Sequence, residues 1–308
     1  MGTPEISAIS LKALIDSGHN VAAVVTREDK PRGRGNVMTP TPTKVLALEK
    51  NIPVYTPQSL RTEEFSELLS SIDPDLIAVV AYGKILPPSV LSYPKYGCIN
   101  LHVSLLPKYR GAAPMQRAIM EGESETGVTV MYMNEGLDTG DIIATEKFPI
   151  TVEDDFESIH DRSAEIGGAL LSKTVTEIFE GRAVRIKRDD TLATYAAKIE
   201  KEDCKIDFSR SADVVSARIR GVTPSPGAFA YLGGKMIKIG RVAVLDSSGS
   251  HGKVGEVTDL NAQGDGAITV ACGEGALLIK ALKPEGRGIM TAGDFIRGRK
   301  IQKGDMFE

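Results

Sequence analysis

The sequence predicts an α/β protein of two domains, a parallel sheet flanked by helices followed by a small β-barrel, and three observations carry the prediction. The chain has 308 residues, which at about 100 to 200 residues per domain means roughly two domains. Up to about residue 200, short β-branched runs alternate with stretches of helical periodicity, the pattern of βαβ units with helices on both faces of a sheet. After about residue 205, short apolar runs are separated by Gly, Asp and Ser turns at about ten-residue intervals, as a barrel or sandwich requires.

The elements follow in order. Apolar Ile6, Ile9, Ala13 and Leu14 recur at helical spacing and the run stops at Gly18, predicting a helix over residues 4–17. Val21–Thr26 is a β-branched run and reads as a buried strand. Helices are expected over Thr43–Lys50 and Thr62–Ser71, with strands over Pro53–Tyr55 and the very apolar Leu76–Ala81. Tyr96–Val103 supplies another strand, Arg110–Glu121 a helix, Thr126–Met133 a strand and Phe156–Glu180 a long helix ending at Gly181. Beyond the charged stretch that begins at Asp189, strands are expected at Ala228–Leu232, Met236–Leu245, Gly255–Asp259, Ala267–Ala271 and Ala276–Leu282, with a two-residue hairpin turn at Gly233-Gly234. This divides the chain into an N-terminal domain over residues 1–188, a linker over 189–204 and a C-terminal domain over 205–308. One feature is odd. A βαβ sheet needs a strand before its first crossover helix, yet the chain opens at Gly2-Thr3-Pro4, a turn that normally follows a strand. The first strand is expected to be missing.

Composition excludes several classes. With 42% hydrophobic and 25% charged residues the chain is neither collagenous, disulfide-stapled nor wholly disordered. Its longest apolar run, Leu76–Tyr82, is far below the ~18 to 20 residues of a membrane span, and its start lacks a signal peptide's basic and apolar regions, so a cytoplasmic protein with no membrane partner is expected. The three cysteines, Cys98, Cys204 and Cys272, form no pair at metal-ligand spacing and read as free thiols. The net charge of −4 argues against a nucleic-acid partner only when taken whole. Lys205–Glu308 holds 15 basic and 11 acidic residues, a net +4, which leaves 22 and 30, a net −8, for residues 1–204. No interface stripe is evident, which predicts a monomer.

The chemistry concentrates at one strand end. Of four histidines, His19, His160 and His251 lie in turns or a charged helix and read as surface residues. His102 ends a strand and is followed at once by Val103-Ser104-Leu105-Leu106-Pro107, and in open α/β sheets ligands collect outside the carboxyl ends of strands. Alternation places Asn100 on the same face as His102. A second loop, Gly136-Leu137-Asp138-Thr139-Gly140-Asp141, offers carboxylates that could orient an imidazole, although an ordinary Asp/Gly turn has the same composition. Amide, imidazole and carboxylate together suit acyl transfer by direct attack of a bound amine, because no Gly-x-Ser-x-Gly elbow or Cys–His arrangement supplies a nucleophile. The segment Arg27–Asn36 is read either as a solvated loop or as a flexible basic finger for phosphates; it lacks the third glycine of a dinucleotide fingerprint.

These strings resemble a known family. Gly83-Lys84-Ile85-Leu86-Pro87, the run from Cys98 through His102 and Arg110 to Pro114, and Gly136–Asp141 closely resemble the methionyl-tRNA formyltransferases, as do Asp29–Gly35, Thr194–Ile199 and Lys283–Gly286, so the likeness covers essentially the whole chain. It implies a Rossmann-like parallel-sheet formyltransferase domain and a C-terminal OB-like β-barrel that helps hold tRNA. It also implies transfer of a formyl group from 10-formyltetrahydrofolate to the methionine α-amine of initiator methionyl-tRNA, without a metal. Asn100, His102 and Asp138 match the family's catalytic trio, Ser104, Leu105, Leu106 and Pro107 its folate loop, and Tyr82, Gly83, Ile85 and Leu86 a segment lining the pteridine pocket. Lys30, Arg32 and Arg34 match its tRNA-contacting insertion. The chain departs from the pattern at Phe208 and Ser225, where the family usually has Trp, and at its start, where the family has a short apolar strand ahead of Met1; a truncated or mis-started chain is expected. A formyltransferase for a small amine shares the Asn–x–His core but needs neither the basic insertion nor the tail, and an inactive RNA-binding relative is the alternative from another class.

Overall fold

Hydroxyls set where the early helices start. Thr41 Oγ1 accepts a hydrogen bond from Lys44 N at 3.2 Å and Thr62 Oγ1 from Phe65 N at 3.3 Å, each satisfying an amide that the first helical turn leaves without a partner. The computed structural model describes residues 1–32, 35–261, 263–298 and 300–308.

The chain begins with α1 (Glu5–Asp16), β1 (Val24–Val25), the short strands β2 (Lys30–Arg32) and β3 (Val37–Thr39), α2 (Pro42–Glu49) and β4 (Val54–Tyr55). Next come α3 (Glu63–Ile72), β5 (Ile77–Val79), α4 (Pro88–Leu91), β6 (Cys98–His102), β7 (Arg110–Gly111) and α5 (Pro114–Met120). They are followed by β8 (Glu125–Tyr132), β9 (Ile142–Pro149), α6 (Phe156–Phe179) and β10 (Tyr195–Ala196). The remainder holds α7 (Ala212–Gly221), β11 (Ala228–Leu232), β12 (Lys235–Ile239), β13 (Val242–Asp246) and β14 (Val257–Asn261). It closes with β15 (Ala267–Ala271), β16 (Ala276–Ile279), β17 (Ala281–Pro284), β18 (Met290–Thr291) and α8 (Ala292–Arg297).

The chain divides into two units. The first comprises Met1–Gly111, Gly127–Phe148 and His160–Tyr195. Its main sheet has the order β5-β6-β8-β9, while β1 and β4 form a separate parallel pair. β5 and β6 are parallel, as expected, and β6 and β8 add an antiparallel pair to the sheet. β9, which sequence reasoning missed, continues straight from the loop after β8 and forms the sheet's edge. β6 lies between β5 and β8, and Ile99 and Leu101 are buried with Cys98 and His102. A core of Val25, Phe65, Leu69, Ile77, Val79 and Tyr82 packs α3 against β5. The helix expected from Arg110 starts only at Pro114. Arg110-Gly111 is extended, and proline, which favours extended backbone in the residue before it, sits at the first helical position.

The second unit comprises Ala112–Thr126, Pro149–Ile159 and Ala196–Glu308. Its strands form two four-stranded antiparallel sheets, β11-β12-β17-β18 and β13-β16-β15-β14, and the described ladders do not close into a barrel. Two runs expected as single strands each divide between the sheets. Met236–Leu245 breaks at Gly240-Arg241, and Ala276–Leu282 breaks at Lys280. The breaks meet, with Lys280 N donating to Arg241 O at 2.8 Å and Gly240 N to Ala281 O at 3.0 Å. Strands that bend from one sheet into the next form such corners. The expected hairpin is present: Leu232 pairs with Lys235, and both central glycines have positive φ. Ile219, Ile239, Ile268, Leu277, Ile279 and Leu282 form the core.

Candidate active site

β6 carries Asn100 and His102 to the carboxyl end of the main sheet. Asn100 pairs with Val79 of β5 on one side and Met131 of β8 on the other, and His102 pairs with Thr129. Asn100 is half-buried. Among the described residues no hydrogen bond occupies its side-chain amide. The loop beyond is tied down by hydroxyls: Thr129 Oγ1 donates to Ser104 O at 2.7 Å, Leu106 N donates to Thr129 Oγ1 at 3.3 Å, and Ser104 Oγ donates to Lys108 O at 2.7 Å. Leu105 packs against Gly127, where any Cβ would overlap the Glu146 carbonyl.

The chain then turns back on His102. Tyr109 has a φ of +60°, and its carbonyl oxygen lies 2.9 Å from His102 Nε2. A carbonyl only accepts, so Nε2 is the protonated nitrogen and donates. Tyr109 N is held by Thr194 Oγ1 at 2.9 Å. The other ring nitrogen, Nδ1, stands 3.7 Å from Asp138 Oδ2, with the two side chains only 7% and 13% exposed.

Asp138 reaches this position because its loop closes tightly. Asn134 Oδ1 accepts from Thr139 Oγ1 at 2.6 Å and from Gly136 N at 3.1 Å. Gly140 passes so close to the Tyr132 carbonyl that a side chain would collide with it. Asp138 itself has a φ of +50°, and its Oδ2 accepts from Gly111 N at 2.9 Å. Two buried cations lie nearby. Arg110 and Arg188 both pair with Asp190, and Nη1 and Nη2 of Arg188 hydrogen-bond to none of the described residues. Burial first, then the like charge of Arg110, lowers the Arg188 pKa, opposed by Asp190 and Asp138.

The segment after β5 divides into wall and surface. Tyr82 and Leu86 are buried in the core beside Val79, whereas Gly83, with φ +79°, and the 81% exposed Ile85 face outward. The Tyr82 hydroxyl is buried with no partner among the described residues, and burial pushes its pKa up against the lowering effect of Arg27. Lys84 is anchored by its ammonium to Pro57 O and Gln58 O.

The basic segment read as a solvated or flexible finger is an antiparallel hairpin, with Lys30 opposite Thr39 and Arg32 opposite Val37. Lys30, Val37 and Met38 are exposed. Arg34 lies outside the described residues. All three cysteines are free and buried, and among the described residues no group of three or more His, Cys, Asp or Glu side chains is arranged to hold a metal. No described helix is long and apolar enough to cross a membrane. Sequence reasoning gave no role to Tyr109, Gly111, Thr129 and Thr194, which act through backbone groups or a lone hydroxyl; Tyr109, Gly111 and Thr194 lie within the strings that carry the family resemblance, and that was their available signal.

Comparison with known proteins assigns both units to one lineage. Residues 1–175 match the formyl transferase family and residues 198–300 the formyl transferase C-terminal domain. The methionyl-tRNA formyltransferase of Citrifermentans bemidjiense is 46% identical over 306 residues, covering 99% of this chain and 94% of that protein. That of Pelotomaculum thermopropionicum is 46% identical over 304 residues, covering 99% and 96%. Among solved structures, an N-formyltransferase from Helicobacter canadensis in complex with folinic acid and dTDP-3-aminofucose superposes with a TM-score of 0.66 at 18% identity, covering 90% of this chain and 96% of its own. That likeness is one of fold.

Proposed function

This chain belongs to the formyl transferase family, and we propose that it transfers the formyl group of 10-formyltetrahydrofolate to the α-amine of methionine esterified to initiator tRNA, giving N-formylmethionyl-tRNA for translation initiation. The observation that carries this reading is the 46% identity to methionyl-tRNA formyltransferases across 99% of the chain. A charged tRNA as substrate is consistent with a cytoplasmic enzyme.

The residues present fit a folate-derived donor. The outward Ile85 side chain offers apolar surface to a flat ring, and the buried Tyr82 hydroxyl of the same segment, without a partner among the described residues, is a polar group that a heterocycle's edge could satisfy. Ser104, Leu105, Leu106 and Pro107 border the same strand end and would hold the donor's other side.

In the reaction the neutral methionine amine adds to the formyl carbon, forming a C–N bond and pushing the carbonyl electrons onto oxygen. Asn100, whose amide is uncommitted among the described residues, donates to that oxygen. His102 already gives its Nε2 proton to Tyr109, so Nδ1, facing Asp138, is the nitrogen able to take the proton that the amine must lose, directly or through one water. Asp138 steadies the imidazolium so formed and is itself kept in place by Gly111 N. Collapse of the tetrahedral species breaks the carbon–N10 bond, and N10 leaves with a proton. No step requires a metal. Lys30 and Arg32 of the hairpin, with Arg34 two residues on in sequence, supply positive charge for the tRNA acceptor end, and exposed Val37 and Met38 are available to its bases.

Formylation assayed with 10-formyltetrahydrofolate and either methionyl-tRNA or small amines, an aminosugar nucleotide and glycinamide ribotide, tests this. Turnover with methionyl-tRNA alone is expected. Turnover only with a small amine, or tRNA binding without turnover, would replace it.

A further inference from the structure

The segment that follows α6 is bonded to both halves of the His102–Asp138 pair. Residues 185–194 belong to the first unit, although the second half of them was expected as linker. Ile186 and Ile142 exchange backbone hydrogen bonds at 2.8 and 3.0 Å, which fixes the strand end just beyond the Asp138 loop. Arg185 lies over the Tyr132 ring, 3.7 Å from its centre, just before that loop. Thr194 serves the other half: its Oγ1 accepts from Tyr109 N and its carbonyl from Arg110 N, both at 2.9 Å. Tyr109 O is the group that holds His102, and Gly111 N the group that holds Asp138. Between these anchors in sequence stands Arg188.

The Arg188 side chain is 5% exposed, and none of its three nitrogens hydrogen-bonds to a described residue. Its Nε lies 3.0 Å from Asp190 Oδ1 without the alignment of a hydrogen bond. Arg110, 4% exposed, is bound to the same oxygen. Two buried guanidinium charges thus share one carboxylate, and that carboxylate is 63% exposed, where water screens it. A buried cation without a partner is strongly unfavourable, so the pair needs a second anion. Asp138 has the right place and burial. It is 13% exposed, its Oδ2 accepts from Gly111 N, next in sequence to Arg110, and its Oδ1 bonds to none of the described residues. The charges that counter the lowering of the Arg188 pKa by burial and by Arg110 are those of Asp190 and Asp138. With Asp138 ionised, the two guanidinium groups and two carboxylates sum to zero.

We propose that Arg188 is a positioning residue for formyl transfer, whose free Nη edge engages Asp138 Oδ1, directly or through one water, and fixes that carboxylate as an anion aimed at His102 Nδ1. This rests on the reading of His102 and Asp138 given above. A carboxylate so held does not take up the proton that the attacking amine gives to His102 Nδ1. The proton therefore stays on the imidazolium, from which the departing N10 collects it. Arg188 itself touches neither substrate and acts through Asp138.

The test is a double-mutant cycle on the full chain. Arg188→Gln is expected to lower kcat by about 100-fold, with KM for methionyl-tRNA and for the donor within about threefold of the unsubstituted values. In the Asp138→Asn background the same substitution should lower kcat by no more than about twofold further, because the charge it serves is gone. Arg188→Lys, which restores the charge without the planar fork, should bring turnover back to within about tenfold of the unsubstituted protein. Should Arg188→Gln not fold, Arg188→Met, which fills similar volume without charge, takes its place in the cycle. Equal losses with lysine and with glutamine, full additivity with Asp138→Asn, or a loss confined to KM would overturn the proposal. If Asp138→Asn is slow and Arg188→Gln turns over normally, only the role of Arg188 falls; if Asp138→Asn itself turns over normally, the reading of the active pair falls with it.

Discussion

Nδ1 of His102 stands 3.7 Å from Oδ2 of Asp138, just beyond hydrogen-bond length and too close for a water between them. The opposite nitrogen is already committed to Tyr109 O. A pair so arranged tightens when Nδ1 becomes protonated, which is the event that amine attack requires. His102→Ala and Asp138→Asn are each expected to lower kcat by about 10²- to 10⁴-fold. The melting temperature of Asp138→Asn should be nearly unchanged, because the amide oxygen of the substituted side chain can still accept from Gly111 N. Initial rates at saturating methionyl-tRNA and thermal melts on the same samples check both. A wild-type rate for either variant removes the pair from the mechanism.

Asn100 makes a different prediction. Its amide holds no other described group, so its removal leaves no orphaned partner behind. Asn100→Ala should lower kcat by about 10²- to 10³-fold, the usual effect of losing one oxyanion donor, while KM for methionyl-tRNA stays within about threefold. Steady-state kinetics separates the two, and a rise in KM without loss of kcat would make Asn100 a substrate-binding residue instead.

The Tyr82 hydroxyl is buried without a described partner. An unsatisfied polar group lowers stability, so Tyr82→Phe should leave the ligand-free protein as stable as before or more stable by up to about 1 kcal/mol. If the formyl donor satisfies that hydroxyl, the same substitution raises the donor's KM severalfold. Paired melts and donor titrations check it; a less stable variant with unchanged KM would mean that the hydroxyl already has a structural role.

The tight closure of the loop that carries Asp138 rests on Gly140, where a Cβ would overlap the Tyr132 carbonyl oxygen. Backbone has no rotamer to yield with. Gly140→Ala is expected to cost about 2 to 3 kcal/mol of stability or displace Asp138, with turnover falling as in Asp138→Asn. Denaturant unfolding and the formylation rate measure the two effects separately.

What could be read in the sequence follows a physical division. Asn100 and His102 were legible because they share one face of a strong apolar strand at its carboxyl end, and the strand lies where expected, trimmed to Cys98–His102. The groups that hold His102 and Asp138 were not, because Tyr109 O and Gly111 N are backbone atoms whose direction depends on a positive φ at Tyr109 and an extended Arg110-Gly111. The same limit hid the corners of the second unit. Met236–Leu245 reads as one strand interrupted by a single Gly240, a local mark of a possible bend, and the long-range bonds of Gly240 and Lys280 show that it passes between two sheets. The β2–β3 hairpin was hidden for another reason, since Pro and charged residues lower strand propensity there and cross-strand pairing overrides it.

Arg117 and Asp203 yield the pH prediction. The guanidinium donates Nη1 to Oδ1 at 2.9 Å and Nη2 to Oδ2 at 2.8 Å, and Nε and Nη2 also reach Ala197 O and Lys198 O at 3.1 Å, tying α5 to the segment that enters the second unit's sheets. The bonds from Arg117, followed by that from Glu200 N, hold the Asp203 carboxyl below the usual carboxylate range, although partial burial opposes them. A carboxyl depressed in the folded state contributes stability that is fully present above the unfolded value of about 3.9 and is lost as pH falls through the folded value. Asp203→Asn should therefore destabilise the protein by about 1 kcal/mol at pH 7, a magnitude set by a bidentate pair only one-fifth exposed. At an acid pH below the depressed folded value the variant and the unsubstituted protein should converge, since protonation then removes from Asp203 the charge that the variant lacks at every pH. Urea unfolding at the two pH values tests this, and a difference that persists undiminished in acid would show that Asp203 acts through packing and its hydrogen bonds alone.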